Sequence, residues 1–166
     1  MEDAHPRAED THSPDQPDSR GLADAITVVA TVGRPETQPA VPLSPLSSNV
    51  SWSIRYIVHN HGETFTMGQL AQFAGLSKFH FSRKFHRETG LPPRAFLRRY
   101  RIACAMDILE KSRLEVRHVA HRVGYRDHAA FTRAFTRIAG EPPTAYRARC
   151  RAARPVGRNA PPSPGE

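Results

Sequence analysis

Cysteine is nearly missing from this 166-residue chain: there are two, Cys104 and Cys150, 46 positions apart. A pair so placed makes neither a disulfide framework nor a zinc site. Long apolar runs are also missing, and none approaches the ~18 to 20 residues a membrane-crossing helix needs. The first residues, Met1-Glu2-Asp3-Ala4-His5-Pro6, have neither the basic and apolar blocks of a secretory signal nor the Arg-rich character of a transit peptide. There is no phosphate-cradling glycine loop and no nucleophile–base constellation. These absences exclude a secreted scaffold, a membrane protein and a cysteine-ligated metalloprotein, and the expectation is a soluble cytoplasmic protein without a cofactor.

Acid is scarce in one part of the chain only. Residues 1–48 hold three Arg and eight acids, a net of −5, whereas residues 49–166 hold 21 Lys and Arg against eight acids, a net of +13. Of those 21 cations only Lys78, Lys84 and Lys111 are lysines. Arginine's planar fork donates two parallel hydrogen bonds, which suits phosphates and base edges. A segment this basic implies a polyanionic partner, usually nucleic acid.

Proline divides the chain in the same way. Seven of fifteen lie in residues 1–48 and four in residues 155–166, and the rest form two pairs, Pro92-Pro93 and Pro142-Pro143. Both ends read as disordered, because they cannot bury enough apolar surface to offset ordering entropy. Within the first, Leu22 to Val32 is β-branched and reads as a single strand, which alone is no domain and either docks on the rest of the chain or is a relic. Residues 49–154 read as one all-α domain. Ile54, Ile57 and Val58 mark a helix face ending near His61-Gly62. Thr66 to Gln69 is a capping box that opens the next helix. Ser77 caps a helix with Phe81 and Phe85 inward, stopped by Gly90. Pro93 opens a long helix to Lys111. Val116 to Val123 is another helix, stopped by Gly124. Asp127 caps a helix with Phe131 and Phe135 inward, stopped by Gly140. Pro143 starts the last.

This domain repeats itself. Phe81, Arg83, Phe85, Gly90, Pro92, Pro93, Ala95 and Phe96 match Phe131, Arg133, Phe135, Gly140, Pro142, Pro143, Ala145 and Tyr146 at an offset of 50. Leu70, Ala71, Ala74 and Gly75 match Val119, Ala120, Val123 and Gly124 at an offset of 49. Each copy reads as short helix, glycine turn, capped helix, the helix-turn-helix pattern whose second helix enters the major groove. The first head spans about 52–91, the linking helix 93–111 and the second head about 115–151. Nineteen residues of helix are roughly 28 Å long, compatible with the ~34 Å between successive major grooves on one face of B-DNA.

Residues 52–150 resemble the DNA-binding domain of the AraC/XylS transcriptional regulators. In the first copy the likeness rests on Leu70-Ala71, Gly75-Leu76-Ser77, Phe81-Ser82-Arg83-Lys84-Phe85 and Glu88-Thr89-Gly90, followed by Arg98, Arg99, Arg101 and Ile102. In the second it rests on Val119 to Tyr125, on Phe131-Thr132-Arg133-Ala134-Phe135, and on Gly140 through Arg147. Tyr125 stands where the family commonly has Phe. His128, Ala129 and Ala130 stand where Gln or Ser is frequent, which implies fewer polar base contacts from the second head. Most members also carry a large sensor or dimerisation domain. The 48 residues ahead of the heads resemble instead the short members that act as monomers.

The expected function is therefore a sequence-specific regulator, acting as a monomer on double-stranded DNA in the nucleoid, with RNA polymerase as a second partner. The exposed face near each recognition helix N-terminus meets bases. It comprises Phe79, Ser82 and Arg83 in the first head, and His128, Ala129, Thr132 and Arg133 in the second. Phe79 stands where the family places an aromatic against bases or sugars, and Arg83 can grip a guanine edge bidentately. Lys78, Lys84, Arg87, Arg98, Arg126 and Arg137 suit the phosphates. His118 and His121 share a helix face at i, i+3 but lack a third ligand, so no metal is expected. Some alkylation-repair enzymes carry this module beside a cysteine-bearing catalytic domain; residues 1–48 contain no cysteine, so no enzyme is expected. The alternative reading is an architectural protein without sequence choice, or a truncated remnant of a longer regulator.

Overall fold

The computed structural model describes residues 19–32 and 46–153. Eight helices and no strand occur among the described residues: α1 Ser19–Thr31, α2 Ser48–Asn60, α3 Met67–Phe73, α4 Lys78–Thr89, α5 Pro93–Lys111, α6 Val116–Arg122, α7 His128–Ala139 and α8 Pro143–Ala153.

Two separate cores account for this arrangement. Val50, Ile54 and Ile57 of α2, Leu70 and Ala71 of α3, Phe81 and Phe85 of α4, and Phe96 of α5 form the first. Ile102, Ala105 and Leu109 of α5 form the second with Val119 and Ala120 of α6, Phe131 and Phe135 of α7, and Tyr146 of α8. The long helix thus gives its first turns to one head and its later turns to the other. The sequence repeat reappears as a repeated aromatic trio. Phe81–Phe85 and Phe85–Phe96 centroids lie 5.6 and 5.5 Å apart, and Phe131–Phe135 and Phe135–Tyr146 lie 5.7 and 5.6 Å apart. In each trio the last pair is edge-on, the geometry that the ring quadrupole favours.

The glycine turns are equally matched. Gly75 (φ 67°) and Gly124 (φ 85°) take the left-handed backbone that a side chain resists. In the first turn the N–H of Gly75 donates to Gln72 O at 2.9 Å and that of Leu76 to Ala71 O at 3.0 Å. In the second, Gly124 donates to His121 O and Tyr125 to Ala120 O, at 3.0 and 2.9 Å. Both are Schellman closures, which satisfy the last carbonyls of α3 and α6 and redirect the chain into the next helix. At α3 the capping box forms as expected: Gln69 N–H donates to Thr66 Oγ1, and Thr66 N–H donates to Gln69 Oε1.

The one element read wrongly is the first. Leu22 to Val32, expected as a strand in a disordered region, lies in the helix α1 and its final turn. Its apolar residues Leu22, Ala25, Ile26 and Val29 follow i, i+3, i+4, i+7, the spacing of a helix face. Ala25 and Val29 are buried, with α1 packed against α2 and α5. Val32 reaches the second core while the rest of α1 lies on the first. Burial of that stripe overrides the β preference of Ile26, Thr27, Val28 and Val29, which is a weak prior. Ser19 to Gly21, also expected to be disordered, open α1. Leu46, Ser47 and Ser48 lead into α2, with Leu46 against the first core and Ser47 bonded to the Glu88 carboxylate. The other residues of the expected disordered ends lie outside the described residues.

Candidate nucleic-acid interface

Helices α4 and α7 carry the candidate base-contacting residues, and their caps and cores fix which way those residues face. Ser77 accepts from the His80 N–H at 3.3 Å to start α4. Asp127 accepts from the Ala129 and Ala130 N–H groups, each at 3.0 Å, to start α7. The buried pairs Phe81/Phe85 and Phe131/Phe135 then set the rotation of each helix, so Phe79 and Arg83, and Ala129 and Arg133, face water, while the other positions between the paired rings are half-buried.

The candidates stand as follows. Lys78, Phe79, Arg83 and Arg87 of α4 are exposed and Ser82 is half-buried. In α7, His128, Ala129, Arg133 and Arg137 are exposed, and the half-buried Thr132 donates its hydroxyl to His128 O at 3.0 Å. Phe79 is 81% exposed, so its ring contributes nothing to the core. Phe79 and Arg83 are four residues apart and share the exposed face of α4. Arg98 on α5 and Arg126 in the turn before α7 are exposed as well. Lys84 differs: its side chain is 22% exposed and its ammonium points to Glu88 at 4.0 Å.

The two heads are alike in layout and unlike in electrostatics. Arg83 makes no ion pair among the described residues, whereas Arg133 lies 3.8 Å from Asp127. The two backbone N–H bonds hold the Asp127 carboxyl below the usual carboxylate range, helped by Arg133, so this cap is an anion at the mouth of the second helix.

A residue quoted for its likeness to the family but given no role proves central. Arg101 is half-buried on α5, where burial lowers its pKa. It donates from Nε to His61 O at 2.7 Å and from Nη2 to Glu63 O at 2.9 Å, both after α2. From Nη1 it donates to Gly124 O at 3.0 Å, in the turn of the second head, and its guanidinium lies 5.8 Å from the Tyr125 ring centroid. Arg126 adds a bond from Nη2 to Thr64 Oγ1 at 3.3 Å. No sequence pattern announces this cluster, because most of its acceptors are backbone carbonyls, which every residue has.

Comparison with known proteins places this geometry. A helix-turn-helix domain model matches residues 70–149. The chain is 39% identical over 83 residues to the MmsAB operon regulatory protein of Pseudomonas aeruginosa, covering 50% of this chain and 27% of that one. It is 34% identical over 80 residues to the transcriptional activator Btr of Bacillus subtilis, covering 48% of this chain and 15% of that one. It thus spans about a quarter or less of these two curated relatives. Among solved structures it is similar to the DNA-binding domain of AdpA, a global transcriptional factor in complex with a target DNA. That likeness has 35% identity and a TM-score of 0.64, over 67% of this chain and all of that one. The chain belongs to the AraC/XylS family. Its α3–α4 and α6–α7 are the two helix-turn-helix pairs of an AraC-type DNA-binding domain, joined by α5. The helices α1 and α2 lie outside the residues matched by the helix-turn-helix domain model.

Proposed function

We propose that this chain is a sequence-specific transcriptional regulator that reads two adjacent major-groove segments of duplex DNA as a monomer beside RNA polymerase. Helices α4 and α7 are its recognition helices. The observation that carries this reading is the repeated, outward-facing surface on two capped helices within one chain: Phe79, Ser82 and Arg83 on α4, and His128, Ala129, Thr132 and Arg133 on α7. Arg83, unpaired among the described residues, suits a guanine edge, and Phe79 suits a thymine methyl or a sugar. Ala129 offers a methyl group in place of the Phe79 ring, so the second head has the smaller apolar contact.

Lys78, Arg87, Arg98, Arg126 and Arg137 serve the phosphates, where charge fixes register and orientation but carries no sequence information. Lys84 takes the same role only by leaving Glu88. No catalytic step belongs to this reading.

The test is selection of bound duplexes from a random pool by the full chain, at moderate salt and with nonspecific competitor. Two enriched motifs about one helical turn apart are expected. One enriched motif would leave α7 as a phosphate clamp. No enrichment, with binding that falls steeply with salt on every sequence, is the behaviour of an architectural protein and would defeat the proposal.

A further inference from the structure

The two heads are held by more than the helix between them. If α5 alone joined them, its length would fix their separation, but small bends in a helix of nineteen residues would let their orientation drift. Arg101 removes that freedom. It sits on α5 between Phe96, in the first core, and Leu109, in the second, and its fork ties carbonyls from both heads. Two are on the first side, His61 O and Glu63 O, and one on the second, Gly124 O. The backbones around it are in close approach. A Cβ on Gly124 would lie 2.7 Å from Arg101 Nη2 and 2.8 Å from His61 O, and one on Gly62 would lie 3.0 Å from Arg122 O. The segment after α2 and the turn after α6 are thus packed backbone to backbone, with a charged, planar donor wedged between them.

We propose that Arg101 is a positioning residue that sets the relative orientation of the two heads, and thereby the one separation of DNA half-sites the chain accepts. This rests on the two-headed reading above. Arg101 touches no base and needs none. Its effect is on effective concentration: a stiff link makes the second head's binding intramolecular at one geometry and nearly useless at others. Guanidinium suits the task because its donors sit in a fixed plane, whereas a lysine ammonium is a point charge on a flexible stem. Glycine at 62 and 124 permits the approach that brings the carbonyls within its reach.

The test uses the full chain and a set of duplexes carrying the two selected half-sites, with the intervening base pairs varied one at a time. The unmodified chain should bind best at one separation and lose roughly tenfold or more when the sites move one base pair either way. Arg101→Met should lose affinity at the optimum while holding or gaining at the flanking separations, so that the profile flattens to within about threefold. Its affinity for each isolated half-site should be unchanged. Circular dichroism and thermal unfolding establish whether the variant is folded. Should it fail to fold, Arg101→Lys asks the same question, since it keeps the charge and loses the planar fork that reaches all three carbonyls. That variant should move or flatten the optimum. Profiles that keep the shape of the unmodified chain in the folded variants, or drop by one common factor at every separation, overturn the role of Arg101 and leave the two-headed reading intact. An unmodified chain with no optimum overturns both.

Discussion

The guanidinium of Arg133 lies 3.8 Å from the carboxylate of Asp127, the residue that caps its own helix. The matching Arg83 has a serine, Ser77, as its cap. The heads therefore differ by one negative charge at the N-terminus of the helix proposed to read DNA. Both arginines are exposed, but the cap of the first helix is neutral and that of the second is an anion beside its arginine.

Asp127→Asn should separate capping from charge. Asparagine caps helices about as well as aspartate, so the thermal midpoint should barely move. DNA affinity at low salt should rise by roughly fivefold, the effect of one nearby unit charge in water, and the gain should shrink as salt is added. Asp127→Ala should lower the midpoint by a few degrees, because two N–H groups lose their acceptor. An affinity unchanged in Asp127→Asn, measured by fluorescence anisotropy, would show that this anion does not face the DNA.

The cap also predicts an acid dependence. The Asp127 carboxyl is held below its ordinary range by the N–H groups of Ala129 and Ala130, so the folded state binds its proton less readily than the unfolded chain. Its stabilisation is complete above the ordinary carboxylate pKa and is lost as pH falls through the lower, folded value. Unfolding midpoints taken from neutral pH down into that acid range should fall less in Asp127→Asn than in the unmodified chain. Parallel curves would remove the carboxylate from the account.

Arg83→Ala and Arg133→Ala should not be equivalent. Loss of a bidentate guanine contact costs about 1–3 kcal/mol of discrimination at that base, and Arg83 is the arginine available for it. Arg133→Ala should cost less, since its charge is already shared with Asp127. Arg137→Ala should weaken all sequences alike and reduce the salt slope by about one. Competition binding against single-base changes in each half-site measures all three, and a larger specificity loss from Arg133→Ala would reverse the assignment.

Much of this fold was legible in the sequence because its signals are local. The caps Ser77 and Asp127 and the stops Gly90 and Gly140 act within a few residues. The paired phenylalanines name their own helix face, which is why the exposure of Phe79 followed from Phe81 and Phe85. The site was legible to the same depth: residues could be placed outward, but Asp127 as an anion beside Arg133 depends on side-chain placement. Two features escaped for a shared reason. The helical stripe of α1 has meaning only with α2 and α5 to bury it, and Arg101 has partners only once the two heads are folded. Both depend on contacts between distant segments, which propensity and spacing do not encode.

Docking of α1 has a direct test. Val29 is 1% exposed in the first core, so Val29→Ala should cost about 1.5 kcal/mol by removal of its two methyl equivalents. Val29→Asp would bury an unpaired charge, and α1 should leave the surface instead. Hydrogen exchange at Ala25 to Val32 should then accelerate, while α4 and α7 keep their protection. Slow exchange across α1 in Val29→Asp would mean that the helix does not depend on this burial.

Burial pushes both Tyr100 and Tyr146 up to about 12, and the alkaline limit of stability should trace in part to Tyr100. Burial, with Cys104 beside it, pushes its hydroxyl from 10.0 up to about 12, and its ring meets His61 edge-on at 5.2 Å. The folded state therefore holds the phenol proton more tightly than the unfolded chain does. That preference is fully present below pH 10.0 and is lost as pH rises through about 12. Burial raises Tyr125 in the same direction, so phenolate absorbance in the folded protein should lag behind that of the chain in denaturant. Tyr100→Phe keeps the ring and removes the proton. Its unfolding midpoint should decline less steeply than that of the unmodified chain between pH 10 and 12. Equal declines would place the alkaline transition elsewhere, with the remaining buried tyrosines or with a group outside the first core.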